Sequence, residues 1–198
     1  MTEHFNTHKA SIVLHDGDIW VIDFKRADGR PHYAVRFYVD EAISSVHIEG
    51  DLGYCISVFD SRNSIQDISA MMSNVPYWVG KFRCSSDKYI WDESEALRKL
   101  EDYTHNVYET LDDKDEYFEM IQSIMDTFSD TDGLMINTDE AYHNWFTVLR
   151  LEELDPSSLG RKVHPRVYLW AEALNIALDQ LNMLKQDINK TTNYGEDR

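Results

Sequence analysis

The spacing of apolar residues changes near residue 64 of this 198-residue chain, and that change restricts the fold more than any motif does. Before it, apolar side chains recur at every second position, as in Trp20, Ile22 and Phe24, which is typical of strands with one buried face. Turn signals such as Asp28-Gly29 separate such runs. The pattern predicts an antiparallel meander of about five strands, in the segments SIVLHDG, DIWVIDFKR, PHYAVRFYVD, SSVHIEGD and GYCISVFDS.

Beyond residue 64 the apolar residues recur every three or four positions, which predicts helices. Asn63 or Ser64 is the expected N-cap of the first helix, and Thr138 is the expected cap of a later one. Pro76 suits the first turn of a short aromatic segment. The final helix is the most apolar, so it either packs centrally or helps to form a dimer. The longer helical segments are NSIQDISAMMS, DESEALRKLEDYTHNVYETL, DKDEYFEMIQSIMDTFSD, TDEAYHNWFTVLRLEELD and VYLWAEALNIALDQLNMLKQDI.

The two periodicities together predict an α+β fold. We expect an N-terminal antiparallel β-meander of about five strands, packed against a C-terminal, strongly acidic helical half. In this division residues 1–91 form the sheet with a short helix, residues 92–190 form the acidic helical region, and residues 191–198 form a disordered tail.

Negative charge is concentrated in the middle of the chain. Residues 1–91 carry 12 acidic and 9 basic groups, residues 92–155 carry 19 and 4, and residues 156–198 carry 5 and 6, which gives -3, -15 and +1 and accounts for the total of -17. Such a segment repels phosphate backbones, so we expect no direct DNA binding by the acidic face. It attracts basic surfaces, although a well-hydrated face without a partner explains the same composition.

Other features of the composition indicate where in the cell the protein is expected. No apolar run approaches the roughly 20 residues that a membrane span needs, and the N-terminus lacks the pattern of a signal peptide. Cys55 and Cys84 have no CxxC spacing, so we expect both to be buried, reduced thiols. These features predict a soluble protein of the cytoplasm that does not contact a membrane.

One cluster of residues could carry chemistry. His47, Glu49 and Asp51 alternate in VHIEGDLG and would share one side of a strand that runs unbroken through Gly50. Three such ligands could hold a divalent cation that activates water for phosphodiester hydrolysis. The alternative is the solvated side of a half-buried strand, with a turn at Gly50 that moves Asp51 off the face, and this alternative is favoured.

Motifs of known enzymes are absent from the sequence, which has no HExxH, GxSxG, P-loop or glycine-rich dinucleotide turn. The acidic segment DTDGLMINTDE lacks the calcium-loop pattern because apolar residues fill the ligand positions. We therefore expect no catalytic residues and no cofactor, and a non-enzymatic role is favoured.

The order of strand meander, IEGDLG, a further strand, and an aromatic segment leading to Cys84 and SSDKYIWD resembles a group of small proteins of phages and mobile elements of Gram-positive bacteria. Its N-terminal layout, over about residues 10–95, resembles that of some phage anti-CRISPR proteins that inhibit Cas9. The resemblance implies an anti-defence protein acting in the host cytoplasm, but it transfers no catalytic residue to this chain.

Charge and resemblance converge on one hypothesis, because Cas9-type effectors hold nucleic acid in basic channels. We expect the acidic helices to bind such a surface on Cas9 or another nucleic-acid-binding host protein. A metal-dependent ribonuclease acting on guide RNA and a phage accessory protein that forms a homodimer are the alternatives. The candidate contacts are Asp112, Asp113, Asp115, Glu116, Glu119, Asp126, Asp130 and Asp132.

Overall fold

The computed structural model describes residues 3–110, 114–125, 128–129, 133–134 and 159–193. The chain forms two compact units. The first consists of residues 1–88 together with 164–198, and the second of residues 89–163. The C-terminal helix therefore belongs to the same unit as the N-terminal sheet, although a long stretch of chain separates them.

An antiparallel sheet of six strands in sequential order forms the first unit, so the fold is α+β as predicted. The sixth strand was not predicted, because its four residues include Arg83 and two small polar positions and show no alternation of apolar side chains. The strands are β1 (His8–Asp16), β2 (Ile19–Arg26), β3 (Val35–Asp40), β4 (Ser45–Gly50), β5 (Cys55–Val58) and β6 (Phe82–Ser85).

One face of the sheet is mostly apolar and is covered by helices. In β3 and β4 every second residue is buried there, as the alternation predicted, and β2 contributes Ile22 and Phe24. At roughly 25 cal/mol per Å² of buried apolar surface, this face is the main source of stability for the unit. Its central residues are Ile22, Phe24, Val35, Phe37, Val39, Val46 and Ile48.

Among the described residues, three α-helices belong to this unit: α1 (Ile65–Ser73), α2 (Val75–Val79) and the C-terminal helix α5 (Pro165–Asn193). α5 packs against β1, β2 and β3 and also contacts α1 and α2. Residues 156–198 carry a balance of +1, so the expectation that a strongly acidic helix covers this sheet is wrong for α5. Its buried Trp170, Leu174 and Ala177 explain the contact, because they present one apolar stripe.

The start of α1 follows the sequence closely. Ser64 is its N-cap and forms a capping box with Asp67, which satisfies two backbone N–H groups at once. Pro76 lies in the first turn of α2, as expected. The indole N–H of Trp78, which is fully buried, donates to the Ser57 hydroxyl at 2.9 Å. Local capping and one buried polar contact thus fix both short helices beside β5.

The second unit contains α3 (Glu93–Thr110), close to its predicted bounds, and α4 (Lys114–Met125). The prediction that the helix of α4 extends to Asp130 is wrong at its end, because Phe128 and Ser129 form a strand. Two small antiparallel sheets accompany them, β7 (Tyr89–Trp91) with β10 (Arg161–Val163), and β8 (Phe128–Ser129) with β9 (Gly133–Leu134). The helix expected after Thr138 lies outside the described residues. Of the predicted tail, residues 191–193 belong to α5 and residues 194–198 lie outside the described range.

The cysteines differ from each other. Cys55 is buried in β5, and desolvation raises the pKa of its thiol to about 12. Cys84 is exposed on β6, so the expectation that both thiols are buried is wrong for Cys84. A search of the described helices finds none with the length and apolar content of a membrane span.

Candidate functional site

The face of the sheet that carries Asp23, Arg36, Tyr38, His47 and Glu49, here named the polar face, holds the residues in which the sequence indicated chemistry. The register aligns them in rows, because directly paired residues of antiparallel strands point to the same side. Asp23 pairs with Arg36, and Arg36 pairs with Glu49. In the next row Tyr38 pairs with His47. Three neighbouring strands therefore bring five polar side chains together.

Arg36 and Asp23 form a two-pronged ion pair. Arg36 Nε lies 2.5 Å from Asp23 Oδ1, and its Nη2 lies 3.0 Å from Oδ2. Lys25 Nζ adds a contact to Oδ2 at 3.3 Å. Hydrogen bonding by Arg36 lowers the pKa of Asp23 although burial alone would raise it, and the same contact raises the pKa of Arg36. Both groups therefore stay charged near neutral pH, and neither is suited to exchange protons in a reaction.

Tyr38 is the shared partner of His47 and Glu49. Its hydroxyl donates to Glu49 Oε1 at 2.7 Å. Its ring stacks on the His47 imidazole with centroids 5.2 Å apart and planes inclined by 23°. Both ligand candidates therefore contact one tyrosine, and the glutamate holds a hydrogen bond that a cation would have to displace.

Asp51, the third member of the cluster, has a different role. β4 ends at Gly50, whose φ of +147° and position would bring a Cβ atom to 2.1 Å from the Ala34 carbonyl oxygen, so only glycine fits. The Asp51 N–H donates to that carbonyl at 3.0 Å, and the Ala34 N–H donates to Asp51 Oδ2 at 3.1 Å. The next turn closes with Gly53 N–H to Gly50 C=O. Asp51 thus fixes the β3–β4 end of the sheet.

Metal binding has little support from this geometry. Within the described ranges, no group of three or more His, Cys, Asp or Glu side chains is placed to hold an ion. His47 and Glu49 remain on the same face, whereas the backbone of Ala34 engages Asp51. Two ligands alone do not make the closed coordination that hard divalent cations require.

An open concavity of about 460 Å³ lies at one end of the polar face. It is lined by acidic side chains, basic side chains and backbone atoms. Asp23 and Arg36 in this lining form an ion pair and neutralise each other. The concavity therefore lacks an excess charge that would select one kind of ion. The lining residues are Asp23, Lys25, Ala34, Val35, Arg36, Glu49 and Gly50.

The outer surface of α3 and α4 is the second candidate region, here named the acidic surface and defined by Glu101, Asp102, Asp115 and Glu119. All four side chains are exposed. Arg98 binds Asp102 at 2.6 Å and Glu95 at 2.9 Å, which neutralises part of α3. The segment from 92 to 155 has only 4 basic groups for 19 acidic ones, so it keeps a large excess of negative charge.

The predicted contact residues fall partly inside the described region. Asp115 and Glu119 lie on α4 with exposed side chains. Glu116 lies in the same helix. The other five predicted contacts lie outside the described residues, namely Asp112, Asp113, Asp126, Asp130 and Asp132.

Two aromatic residues that neighbour these carboxylates in the sequence have exposed side chains. Tyr103 falls at the spacing of the apolar residues of α3, but its side chain is 57% exposed, and Phe118 on α4 is 54% exposed. The buried stripe of α3 instead contains Ala96, Leu100 and Thr104. The Thr104 hydroxyl lies 2.5 Å from the Tyr117 hydroxyl and also donates to the Leu100 carbonyl. A threonine with such partners can occupy an apolar stripe, which displaces Tyr103 to the outside.

Comparisons with models of protein families, with curated proteins and with solved structures find no match to this chain.

Proposed function

We propose that this protein acts by binding, and that its acidic surface docks on a basic, nucleic-acid-binding surface of another protein. The observation that carries the proposal is the segregation of charge. Residues 92–155 have a balance of -15, whereas the rest of the chain sums to -2, from -3 and +1. A field of one sign, confined to one segment, steers a basic partner to that segment and increases the rate of encounter.

The exposed aromatic rings add a second contribution to the proposed contact. Tyr103 lies beside Glu101 and Asp102, and Phe118 lies beside Glu119. Carboxylates at the rim of an interface orient the two partners and increase their association rate, whereas buried aromatic side chains contribute most of the binding affinity. Nucleic-acid-binding grooves hold a single strand by stacking on its bases and by contacting its phosphates. An exposed ring next to a carboxylate offers such a groove both contacts, because the ring stacks as a base does and the carboxylate is negative as a phosphate is.

The specific candidate for the partner comes from the resemblance to phage-encoded inhibitors. We infer an anti-CRISPR-like role in which the acidic surface occupies the channel of Cas9 or a similar effector in the host cytoplasm. Cas9 holds its heteroduplex in a positively charged channel, so an acidic occupant competes with nucleic acid for the same groups.

The test is binding of the full chain to purified Cas9 without guide RNA, measured at increasing salt. We expect the affinity to fall as NaCl rises from about 50 mM to about 500 mM, because the Debye length shortens severalfold over that range. Added guide RNA should displace the protein. Absence of binding, or an affinity that does not change with salt, would contradict the proposal.

A matched pair of variants locates the contact. Asp115→Asn with Glu119→Gln removes two charges from the acidic surface, whereas Glu3→Gln with Asp179→Asn removes the same two charges from exposed positions of the other unit. We expect only the first pair to weaken binding and to reduce its salt dependence. Equal effects of the two pairs would show that net charge alone, and no particular surface, drives association.

The ribonuclease alternative is tested with the same preparation. Labelled guide RNA is incubated with the protein in Mg²⁺ or in EDTA, and the Glu49→Ala variant serves as the control. Since Glu49 is engaged by Tyr38 and Asp51 by Ala34, we expect no metal-dependent cleavage. Cleavage that requires Mg²⁺ and Glu49 would favour the enzyme over the binding protein.

A further inference from the structure

The N-terminal corner of the sheet unit buries a histidine. His8, the first residue of β1, is 1% exposed. Its ring centroid lies 5.1 Å from that of Phe5 and 5.2 Å from that of Phe24, and both of these phenylalanines are buried. A histidine with so little exposed surface depends on protein groups for the hydrogen bonds of its two ring nitrogens.

The partners of these nitrogens fix the protonation state of the ring. Nε2 lies 2.8 Å from the His32 carbonyl oxygen, and because a carbonyl only accepts, Nε2 carries the hydrogen. Nδ1 is buried and has no hydrogen-bond partner among the described residues. Protonation would add an N–H at Nδ1 that no acceptor in this part of the chain meets. Since an unpaired buried donor on a charged group is unfavourable, the folded corner stabilises the neutral ring.

The surroundings of the ring act against its protonation. Burial has the largest effect and lowers the pKa of His8, and the charges of Arg26 on β2 and His32 in the β2–β3 loop lower it further. The backbone carbonyls of His32 and Tyr33 raise this pKa without cancelling the other effects. From α5 the facing residue is Gln180, which has no charge. Other charged or titratable groups on these elements have exposed side chains, namely Glu3, His4, Lys9, Asp28, Arg30 and Asp179.

The latch, which we define as residues 3–7, covers one side of the His8 ring with Phe5. It begins with a short 3-10 helix, Glu3–Phe5. At its end the Ala27 N–H donates to the Thr7 carbonyl at 2.9 Å. The Ala27 amide therefore reports whether the latch is closed.

The latch also packs on a strained residue of the β2–β3 loop. The ring of Tyr33 contacts His4 and Phe5 of the latch, with centroids 5.3 Å and 6.2 Å away, and His32 at 4.3 Å. The φ of Tyr33 is +57°, in the left-handed region that residues other than glycine seldom adopt. Such a conformation persists where surrounding contacts hold it, and the packed rings supply those contacts here. Separation of the latch from the loop relieves this strain.

The strand beyond the latch is anchored separately. Gln180 on α5 accepts the Ala10 N–H through Oε1 at 2.9 Å and donates from Nε2 to the His8 carbonyl at 3.1 Å. One side-chain amide thus holds the backbone of β1 on both sides of Lys9. The latch can therefore separate from the loop by rotation about the bonds before His8, while β1 stays in the sheet.

We propose that protonation of His8 opens the latch, which makes this corner of the sheet a pH-sensitive switch. In the closed form Phe5 is buried and the imidazole is neutral. In the open form the latch and the β2–β3 loop have moved apart, so water hydrates both ring nitrogens of a charged His8. Burial of Phe5 favours the closed form, whereas hydration of the charged ring favours the open form. His4 and His32 gain positive charge in acid and act in the same direction.

Opening is linked to the binding of one proton. The closed form binds this proton less readily than the open form, in which the pKa of His8 returns to 6.5. The equilibrium constant for opening therefore stays constant above pH 6.5. Below that value it rises by up to about tenfold per pH unit, until the pH reaches the lowered pKa of the closed form.

Hydrogen exchange on the full, unmodified chain tests the proposal, with amide rates corrected for the intrinsic effect of pH. Between about pH 7 and about pH 5, we expect the protection of the Ala27 amide to fall at least about fivefold. The Ala10 amide, which Gln180 holds, should keep its protection over the same range. Constant protection at Ala27 overturns the proposal. Equal losses at Ala27 and Ala10 also overturn it, because they would show that the whole unit unfolds rather than the latch.

A pair of variants identifies the group that is titrated. His8→Phe keeps a ring against Phe5 and Phe24 but cannot bind a proton, so the protection of Ala27 should no longer depend on pH. His15→Phe is the control, because it removes an exposed histidine of the same strand. The pH dependence of Ala27 should persist in it. Loss of the pH dependence in His15→Phe, or its persistence in His8→Phe, overturns the assignment to His8.

Discussion

The polar face of the sheet and the acidic surface of α3 and α4 both carry carboxylates, but the two regions use them differently. On the sheet, Asp23 is held by Arg36, Glu49 by Tyr38, and Asp51 by the backbone of Ala34. On the helices, the segment that contains Glu101 and Glu119 has far fewer cations than anions. Paired carboxylates stabilise the fold that contains them, whereas excess carboxylates repel one another and favour a basic partner. Substitutions can test this contrast directly.

The largest effect is expected where the polar face depends on backbone shape. Gly50→Ala would place a Cβ atom against the Ala34 carbonyl at a positive φ, which would disrupt the contacts that Asp51 makes. We expect a loss of about 3 kcal/mol or more in the free energy of unfolding, measured by urea denaturation. Gly29→Ala is the matched control, since its φ is also positive but nothing lies within 4 Å of the added atom. Equal losses in both variants would show that strain alone, without the Ala34 contact, sets the effect.

The next effect concerns the ion pair. Arg36→Met leaves the Asp23 carboxylate with only the weak contact to Lys25, in a residue that is 8% exposed. We expect a loss of about 1–2 kcal/mol, reduced from the value for a fully buried pair because Arg36 is partly in solvent. The double variant Asp23→Leu with Arg36→Met should recover most of the loss. If it is no more stable than Arg36→Met, the carboxylate is not what destabilises the single variant.

Acidification should weaken the sheet unit before it titrates the paired carboxylates. Burial lowers the pKa of His8 below 6.5, and among the described residues its Nδ1 has no hydrogen-bond partner while Nε2 contacts the His32 carbonyl at 2.8 Å. The unfolded chain therefore binds a proton more readily than the folded chain. Stability is complete above pH 6.5 and falls as the pH drops from there toward the lower folded-state pKa. Thermal unfolding between pH 8 and 5 measures this.

His8→Phe is the matching variant, because the His8 ring contacts the rings of Phe5 and Phe24. We expect it to flatten the dependence of the melting temperature on pH in that range. His164, whose pKa is also lowered by burial, should contribute the slope that remains. If the melting temperature of His8→Phe depends on pH as steeply as that of the unmodified protein, His8 is not the cause of the pH dependence.

The smallest effect on stability is expected at the acidic surface. Asp115→Asn with Glu119→Gln changes exposed side chains and lowers repulsion within a segment of balance -15. We expect the free energy of unfolding to change by less than about 0.5 kcal/mol, or to rise slightly. A large loss of stability would show that these carboxylates are structural and would remove the contrast with the polar face.

Local patterns in the sequence were sufficient for several elements. Alternation identified β2, β3 and β4 and their buried faces, and the Ser64 cap and Pro76 located α1 and α2. These signals are local, because period and capping depend only on neighbours along the chain. β6 was missed because this four-residue strand lies at the edge of the sheet, pairs only with β5 and shows no alternation of apolar side chains. The exposure of Tyr103 does not follow from the sequence, because the burial of its neighbour Thr104 depends on the partners Leu100 and Tyr117.

The sequence by itself determined the change of period, the α+β class, and the excess charge of residues 92–155, since each depends on residue type and order alone. The tertiary structure decided which of those residues act together. It assigned α5 to the sheet, engaged Glu49 with Tyr38 and Asp51 with Ala34, and covered the N-terminal part of the β1 edge with Gln180. Gln180 and Ala10 lie 170 positions apart, and nothing local in a sequence specifies a contact between residues so distant along the chain.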